Sequence, residues 1–496
     1  MARRVVAEVR RHLVPTWWSD AKLGIFVHWT LSSVPAFAPV DVEIEGLLAR
    51  REPNPLASSP YAEWYQNSLS FEGSPVAAYH ATHYADREYN SFATEWEAGL
   101  EQWDPGEWAR RFAATGARYV VFVTKHHEGY CLWPTGVANP NAPSLHCTRD
   151  VVGELASAVR GEGLRFGVYY SGGLDWTFND HAIGRFSDLL VAQPRGDYID
   201  YADAQVRELI DRYEPSVLWN DISWPGDLSH LADLLSYYYR RVPDGVVNDR
   251  FMPWSPLWRL ATTRSACRVI DGLAARSARA KRGIVPPRPP LFDVRTPEYT
   301  TFDKIQRSPW ECVRGIDKSF GYNRMSQEED FLSHDDLVWS LTDITAKGGN
   351  LLLNVGPRGE DATIPDPQLQ RLDWLASFTA DAGTALFGSR PWVFAEGRGT
   401  GGIEVRYTAR DRNVYAFVRR TGEGDAIPRV LTLAEVQATA RAQVRTMAGK
   451  VLVSHATPDG LVIELKGTEL KDRHSVLVLA LEEVHARATG TRTATG

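Results

Sequence analysis

Cysteine is scarce in this chain. Its four thiols in 496 residues, Cys131, Cys147, Cys267 and Cys312, are scattered, with no CxxC pair and no His-rich spacing. That argues against a disulfide framework and against a structural zinc site. No stretch reaches the roughly 18 consecutive apolar residues of a membrane span. The N-terminus, Met1-Ala2-Arg3-Arg4 to Arg10-Arg11-His12, is basic but lacks the apolar segment of a secretory signal, so a cytoplasmic address is the default expectation. An excess of one charge is also missing. Lys and Arg number 55 against 62 Asp and Glu, a net charge of −7 without long runs, so neither nucleic acid nor an anionic membrane is an expected partner. No GxGxxG or phosphate-loop motif occurs. What the chain does hold is apolar bulk: 44% hydrophobic residues and seventeen tryptophans, enough for a large core and a surplus of flat faces suited to stacking on sugar rings.

Apolar runs in the first three-quarters of the chain end in side chains that do chemistry. Gly24-Ile25-Phe26-Val27 leads into His28-Trp29, and Tyr119 to Thr124 leads into Lys125-His126-His127. Phe166-Gly167-Val168 leads into Tyr169-Tyr170, Val217-Leu218 into Trp219-Asn220-Asp221, Val246-Val247 into Asn248-Asp249-Arg250, and Phe292-Asp293-Val294 toward Glu298. Between them lie helical patterns over Pro105–Ala114, Val151–Arg160, Ala202–Tyr213, Leu228–Tyr239 and Leu337–Thr345, each with one apolar face at the helix period. Ser333 with Asp336 three residues on reads as a helix start, as does Asp366-Pro367. Helix and strand alternating about eight times predict an α/β fold, a (β/α)8-like TIM barrel over residues 1–387. From 388 to 484 short strands separated by Gly, Asp and Thr predict an antiparallel β-sandwich. Residues 485–496 read as a frayed tail.

One stretch breaks the rhythm. Residues 259–288, inside an insertion at about 255–290, hold eight Arg or Lys and one acid, Asp271, and end in Pro286-Pro287-Arg288-Pro289-Pro290. Two readings stand: a mobile basic surface loop, or a lid over the barrel mouth.

Strand ends bearing aromatics, histidines and carboxylates describe a sugar pocket at the mouth of a barrel. Glycoside hydrolysis usually needs two carboxyl groups, one ionised and one protonated, flanking the anomeric carbon. Asp221 and Glu298 are the candidate pair, because both follow strand-like runs, both have aromatic neighbours and neither continues an amphipathic pattern. His126-His127 raises a metal reading, but no third ligand stands at the spacing usual for zinc. Neutral imidazoles hydrogen-bonded to sugar hydroxyls fit better; two histidines satisfied in the interior are the plain alternative. His28-Trp29 and Glu63-Trp64 each pair a polar hydrogen-bonder with a stacking face.

Together these stretches resemble the α-L-fucosidases of glycoside hydrolase family 29. The resemblance is carried by Trp17-Trp18 with Lys22 to Trp29, Tyr61-Ala62-Glu63-Trp64-Tyr65, Lys125-His126-His127, Tyr169 to Trp176, and Leu218 to Asp221. It continues through Asn248-Asp249-Arg250, Thr296-Pro297-Glu298-Tyr299, Trp310-Glu311, Ser319 to Asn323 and Gly348 to Pro357. The resemblance implies a retaining exo-fucosidase without metal or cofactor, acting on α-L-fucosylated oligosaccharides or glycosides by double displacement. By the same resemblance Asp221 is the nucleophile and Glu298 the acid/base. His28, Glu63, His126, His127, Tyr169 and Arg250 match residues that bind the fucose hydroxyls and ring oxygen, and Phe26, Trp64, Trp219 and Phe320 match the wall around the C5 methyl. Transfer to sugar acceptors, a non-catalytic fucose-binding protein and a metal-dependent barrel hydrolase using His126, His127 and Asp221 are the other readings; assembly into a homo-oligomer is open. The chain departs from the family pattern at Glu128, where Asp is usual and a neutral exchange is expected, in the loop at 35–58, and in the basic insertion.

Overall fold

The computed structural model describes residues 2–41, 43–49, 52–279, 284–419, 428–465 and 475–487. The outer part of the tail (488–496) and residues 280–283 of the insertion lie outside them. Seven parallel strands form the first sheet: β1 (Leu23–Val27), β2 (Tyr119–Lys125), β3 (Arg165–Tyr170), β4 (Val217–Asn220), β5 (Val246–Val247), β6 (Glu311–Gly315) and β7 (Asn350–Val355). Their order is β5-β4-β3-β2-β1-β7-β6. Residues 294–298 carry the ring from β5 to β6, since Asn248 pairs with Val294, Arg295 with Trp310, and Glu298 with Val313, all in parallel. This eighth segment is irregular for a local reason: Pro297 has no N–H to give a ladder. The result is the TIM barrel expected from the alternating runs. β1, β2, β4, β5 and β7 are buried along their whole length, which is why they read as continuous apolar stretches rather than alternating ones.

The helices follow the sequence closely. Pro105–Ala114 begins behind Asp104, whose side chain accepts from the Gly106 and Glu107 amides, and His334–Ala346 begins behind Ser333, which accepts from the Asp336 amide. Among the described helices none is long and apolar enough to cross a membrane.

Alternate strands fill the barrel interior in layers, and one layer is polar. Tyr119 of β2 donates to Glu311 Oε2 of β6 at 2.7 Å, and Trp219 of β4 donates to Glu311 Oε1 at 3.1 Å. Gly24 makes room for this layer. A Cβ there would lie 2.4 Å from the Tyr119 ring, so the strand interior takes glycine for close approach. Gly24→Ala is expected to cost about 1–3 kcal/mol by overpacking, measured as a lowered midpoint of urea unfolding.

Eight antiparallel strands follow between Arg390 and Ala486. Leu431, Leu461 and Ile463 pack in one core with Val405, Tyr407 and Leu479, so the sheet folds over itself into the two layers of a β-sandwich. Its other face meets the barrel, where Tyr415, Phe417 and Val478 join the main core and Arg406 pairs with Asp343 at 2.5 Å. Two of these strands, Val430–Leu433 and Val436–Thr446, escape the sequence reading. The longer one, VQATARAQVRT, alternates apolar and polar residues, but three of its five apolar positions are alanine, a weak strand former, and only Val436 and Val444 are buried.

The insertion is helical. Trp258–Ala261 and Arg264–Arg279 are helices, and the second packs against the short helix Ile44–Ala49. Ala266, Ile270, Ala274 and Ala278 repeat at helical spacing along its covered face, a period hidden by the density of arginine. Its one acid, Asp271, accepts from the Ser187 amide at 2.8 Å and from the Ser187 hydroxyl at 3.0 Å.

Candidate active site

A cavity of about 190 Å³ opens at the C-terminal ends of the barrel strands. Phe26, His28, Glu63, Trp64, His126, Tyr169, Trp219, Asp221, Arg250, Glu298 and Phe320 all line it. His127 stands behind this wall, fully buried, its ring 4.0 Å from that of His126 and its Nε2 4.0 Å from Asp221 Oδ2. Strand ends explain the convergence. The chain leaves each strand at the barrel mouth, so the next side chain faces the shared axis.

Asp221 follows β4 directly. Its Oδ2 accepts from Tyr169 Oη at 2.9 Å, and its Oδ1 from the Ile222 amide at 2.8 Å and Arg250 Nη1 at 3.1 Å. Glu298 accepts from Tyr61 Oη at 2.8 Å and from Arg250 Nη2 at 2.8 Å. One guanidinium therefore touches both carboxylates. Burial works against the Arg250 charge, but the Glu298 and Asp221 carboxylates outweigh it and raise the pKa. The residue after each carboxylate has left-handed backbone, φ 65° at Ile222 and 51° at Tyr299. For a β-branched residue this conformation costs on the order of 1–3 kcal/mol; it turns the chain sharply beside each carboxyl group. Asp249 pins the acid segment from below, accepting from the Thr296 amide at 3.0 Å, the Thr296 hydroxyl at 2.6 Å and Arg295 Nε at 2.8 Å.

The remaining polar groups are tuned for neutral hydrogen bonding. Burial, with His126 beside it, holds the His28 imidazole well below its ordinary pKa. Asn354 Nδ2 donates to the Phe320 carbonyl, so its Oδ1 faces His28 Nδ1 at 2.5 Å. Nδ1 therefore carries the hydrogen and Nε2 is left as an acceptor. Burial, then His126 and Lys125, lowers His127 in the same direction. Its Nδ1 meets Ser171 Oγ at 2.7 Å, and its buried Nε2 makes no hydrogen bond to the protein. Burial pushes Glu63 up to about 7 against a hydrogen bond from the Gly321 amide, made at 2.7 Å. A carboxyl near neutrality can donate or accept. Among the described residues no three His, Cys, Asp or Glu side chains are grouped to hold a metal ion. His126 Nδ1 instead faces Glu128 Oε2 at 3.3 Å, which places the Asp-to-Glu exchange directly against a cavity histidine.

Phe26, Trp219 and Phe320 belong to one apolar cluster, with Trp64 packed on its edge. Phe26 lies 5.2 Å from Trp219, and Arg250 sits 4.8 Å over the Trp219 ring. The candidate wall is thus continuous with the arginine that joins the two carboxylates.

The sequence reading missed several groups. Tyr61 stood in a quoted motif, but nothing marked it as a donor to Glu298. The loop at 35–58 supplies no aromatic to the cavity; it supplies Ile44, Leu48 and Leu56, while Phe37 stacks on Tyr79 at 4.0 Å. Glu311 is the third. Burial pushes its carboxyl from 4.5 up to about 7, against the hydrogen bonds from Tyr119 and Trp219. Between about pH 4.5 and 7 the folded chain therefore holds a proton that the unfolded chain has lost. Stability contributed this way falls as pH rises through that window. Glu311→Gln removes the titration, and its stability loss from pH 5 to pH 8 is expected to be smaller than wild type's by up to about 3 kcal/mol. Urea unfolding at the two pH values measures it; equal losses would contradict it.

Comparison with known proteins agrees with the barrel fold. The family model described as alpha-L-fucosidase matches residues 4–384. The Dictyostelium discoideum alpha-L-fucosidase is 30% identical over 430 residues, 83% of this chain and 79% of that one. Human tissue alpha-L-fucosidase is 28% identical over 424 residues, 82% of this chain and 75% of that one. A crystal structure of Thermotoga maritima alpha-fucosidase in complex with a mechanism-based inhibitor shares 37% identity at a TM-score of 0.80, covering 96% of this chain and 99% of that one. With the family model spanning the barrel and the strand-end carboxylates inside the match, the chain belongs to the alpha-L-fucosidase family of glycoside hydrolases.

Proposed function

We propose that the chain is a retaining exo-α-L-fucosidase with Asp221 as nucleophile and Glu298 as acid/base. The observation that carries this is the shared Arg250 guanidinium, which sets both carboxyl groups at one point of the cavity, beside an apolar wall. In the first step Asp221 attacks the anomeric carbon and forms an ester. Protonated Glu298 gives its proton to the departing oxygen as the glycosidic bond breaks. In the second step Glu298, now ionised, takes a proton from water; the water oxygen replaces Asp221 at the anomeric carbon and fucose leaves with its original configuration. A sugar or alcohol acceptor in place of that water gives transfer.

Arg250 Nη2 donates to Glu298 Oε2 at 2.8 Å, and substrate hydroxyls would share that guanidinium in the first step. Tyr169 orients Asp221 by donating to its Oδ2 at 2.9 Å. His28, His126 and Glu63 face the sugar hydroxyls, with His127 behind them. Phe26, Trp64, Trp219 and Phe320 enclose the C5 methyl, a contact worth roughly 1–3 kcal/mol, so discrimination against a 6-hydroxyl is modest. We divide the chain accordingly into a catalytic unit (1–387) and a sandwich (388–484).

Proton NMR of 4-nitrophenyl α-L-fucoside hydrolysis tests the stereochemistry. The α anomer of fucose is expected to form first and then mutarotate; first formation of the β anomer would refute double displacement.

A further inference from the structure

The cavity has two chemically different parts. Its polar side chains gather at the strand ends around Asp221 and Glu298. The lining contributed by the helix Ile44–Ala49, the segment around Phe186, the turn after Asp221, the turn after Arg250 and the end of the insertion is apolar throughout. Ile44, Leu48, Leu189, Met252, Ile284 and Pro287 belong to this part. The one hydroxyl beside it, Ser59, is buried and its Oγ accepts from the Tyr61 amide at 3.2 Å. Dense as the insertion is in arginine, none of its described Arg side chains lines the cavity.

This apolar part lies on the leaving-group side. Ile284 and Glu298 are paired through their backbones, the Glu298 amide donating to Ile284 O at 2.8 Å and the Ile284 amide to Glu298 O at 3.3 Å. Glu298 must reach the departing oxygen, so whatever departs crosses the wall built on Ile284 and Pro287. Leu48, Leu189, Met252 and Ile284 are only partly buried, and Pro287 is exposed, so the wall is wetted apolar surface. A hydroxyl-rich sugar placed there would give up hydrogen bonds to water and find no side-chain donor or acceptor among the described residues of this wall. An alkyl or aryl group would gain by covering it.

Resting on the fucosidase reading above, we infer that the leaving-group site takes an apolar alcohol, alkyl or aryl, in preference to a second sugar. The helix Arg264–Arg279 buttresses the wall by packing on Ile44–Ala49; among the described residues of the insertion, those that reach the wall, Ile284, Pro286 and Pro287, are apolar.

Hydrolysis of methyl and hexyl α-L-fucoside tests the idea, because the two alcohols are equally poor leaving groups and differ only in what they bury. The hexyl compound is expected to show at least ten-fold higher kcat/KM, through KM, and a fucosylated galactose disaccharide no more than the methyl compound. Leu48→Ser and Leu189→Ser are each expected to lower the hexyl-to-methyl ratio at least three-fold. Equal methyl and hexyl values, or a disaccharide that outruns hexyl fucoside, would overturn the inference while 4-nitrophenyl α-L-fucoside is still hydrolysed. Failure to release fucose from any of the four substrates would instead sink the fucosidase reading itself.

Discussion

Asp221→Gly is expected to lower turnover of 4-nitrophenyl α-L-fucoside by roughly 10⁴-fold or more, and azide is expected to restore much of it as β-fucosyl azide. Removing the side chain takes away the attacking oxygen and opens space at the anomeric carbon. Arg250 and Tyr169, which now hold Asp221 at 3.1 and 2.9 Å, remain to draw in an anion. The outside nucleophile makes a single displacement, so the product inverts where the wild-type product is retained. Near-normal turnover in the variant, or a rescued product of α configuration, would remove Asp221 from the nucleophile role. Loss of rate without rescue would leave a damaged fold as a cause, which circular dichroism of the variant separates.

Glu298→Ala is expected to act selectively. For a leaving group as basic as an alkyl alcohol, loss of the acid is expected to cost about 10²–10⁴-fold in kcat/KM. For 2,4-dinitrophenol, which departs without a proton, the first step is expected to stay nearly intact, and the fucosyl-enzyme to accumulate for lack of a base to activate water. A burst of dinitrophenol followed by a slow steady state, accelerated by azide, is the signature. An equal loss for good and poor leaving groups would exclude Glu298 as the acid. Tyr61 and Arg250, its two partners at 2.8 Å, would then be binding an electrostatic bystander.

Some helix starts were legible where a side chain caps its own neighbours, though Ser74, which caps Pro75–His83 in the same way, was not read. Asp104 and Ser333 bond to amides two or three residues on, so a local stretch of sequence holds the whole interaction. Buried strands were legible because both faces are covered and the run is uninterruptedly apolar. The strand Val436–Thr446 was not, since alanine at Ala438, Ala440 and Ala442 leaves its apolar face with little strand preference and little to bury. The insertion was half legible: its charge was plain, its helical period was not, because small alanines mark the covered face.

By itself the sequence determined the barrel, the sandwich after it, and the residues at each strand end, because those follow from contacts a few positions apart and from motifs that run in order. Tertiary structure alone decided what those residues do to one another. Arg250 joins Asp221 to Glu298 across sequence separations of 29 and 48, Glu311 anchors Trp219 from a separation of 92, and Ile44 and Ile284 meet in one wall. Closing the sheet brings such distant strand ends within a few ångströms, and no local pattern encodes that meeting. Burial does the rest, since the pKa of Glu63, Glu311 and His28 is set by the water each loses when the barrel closes around it.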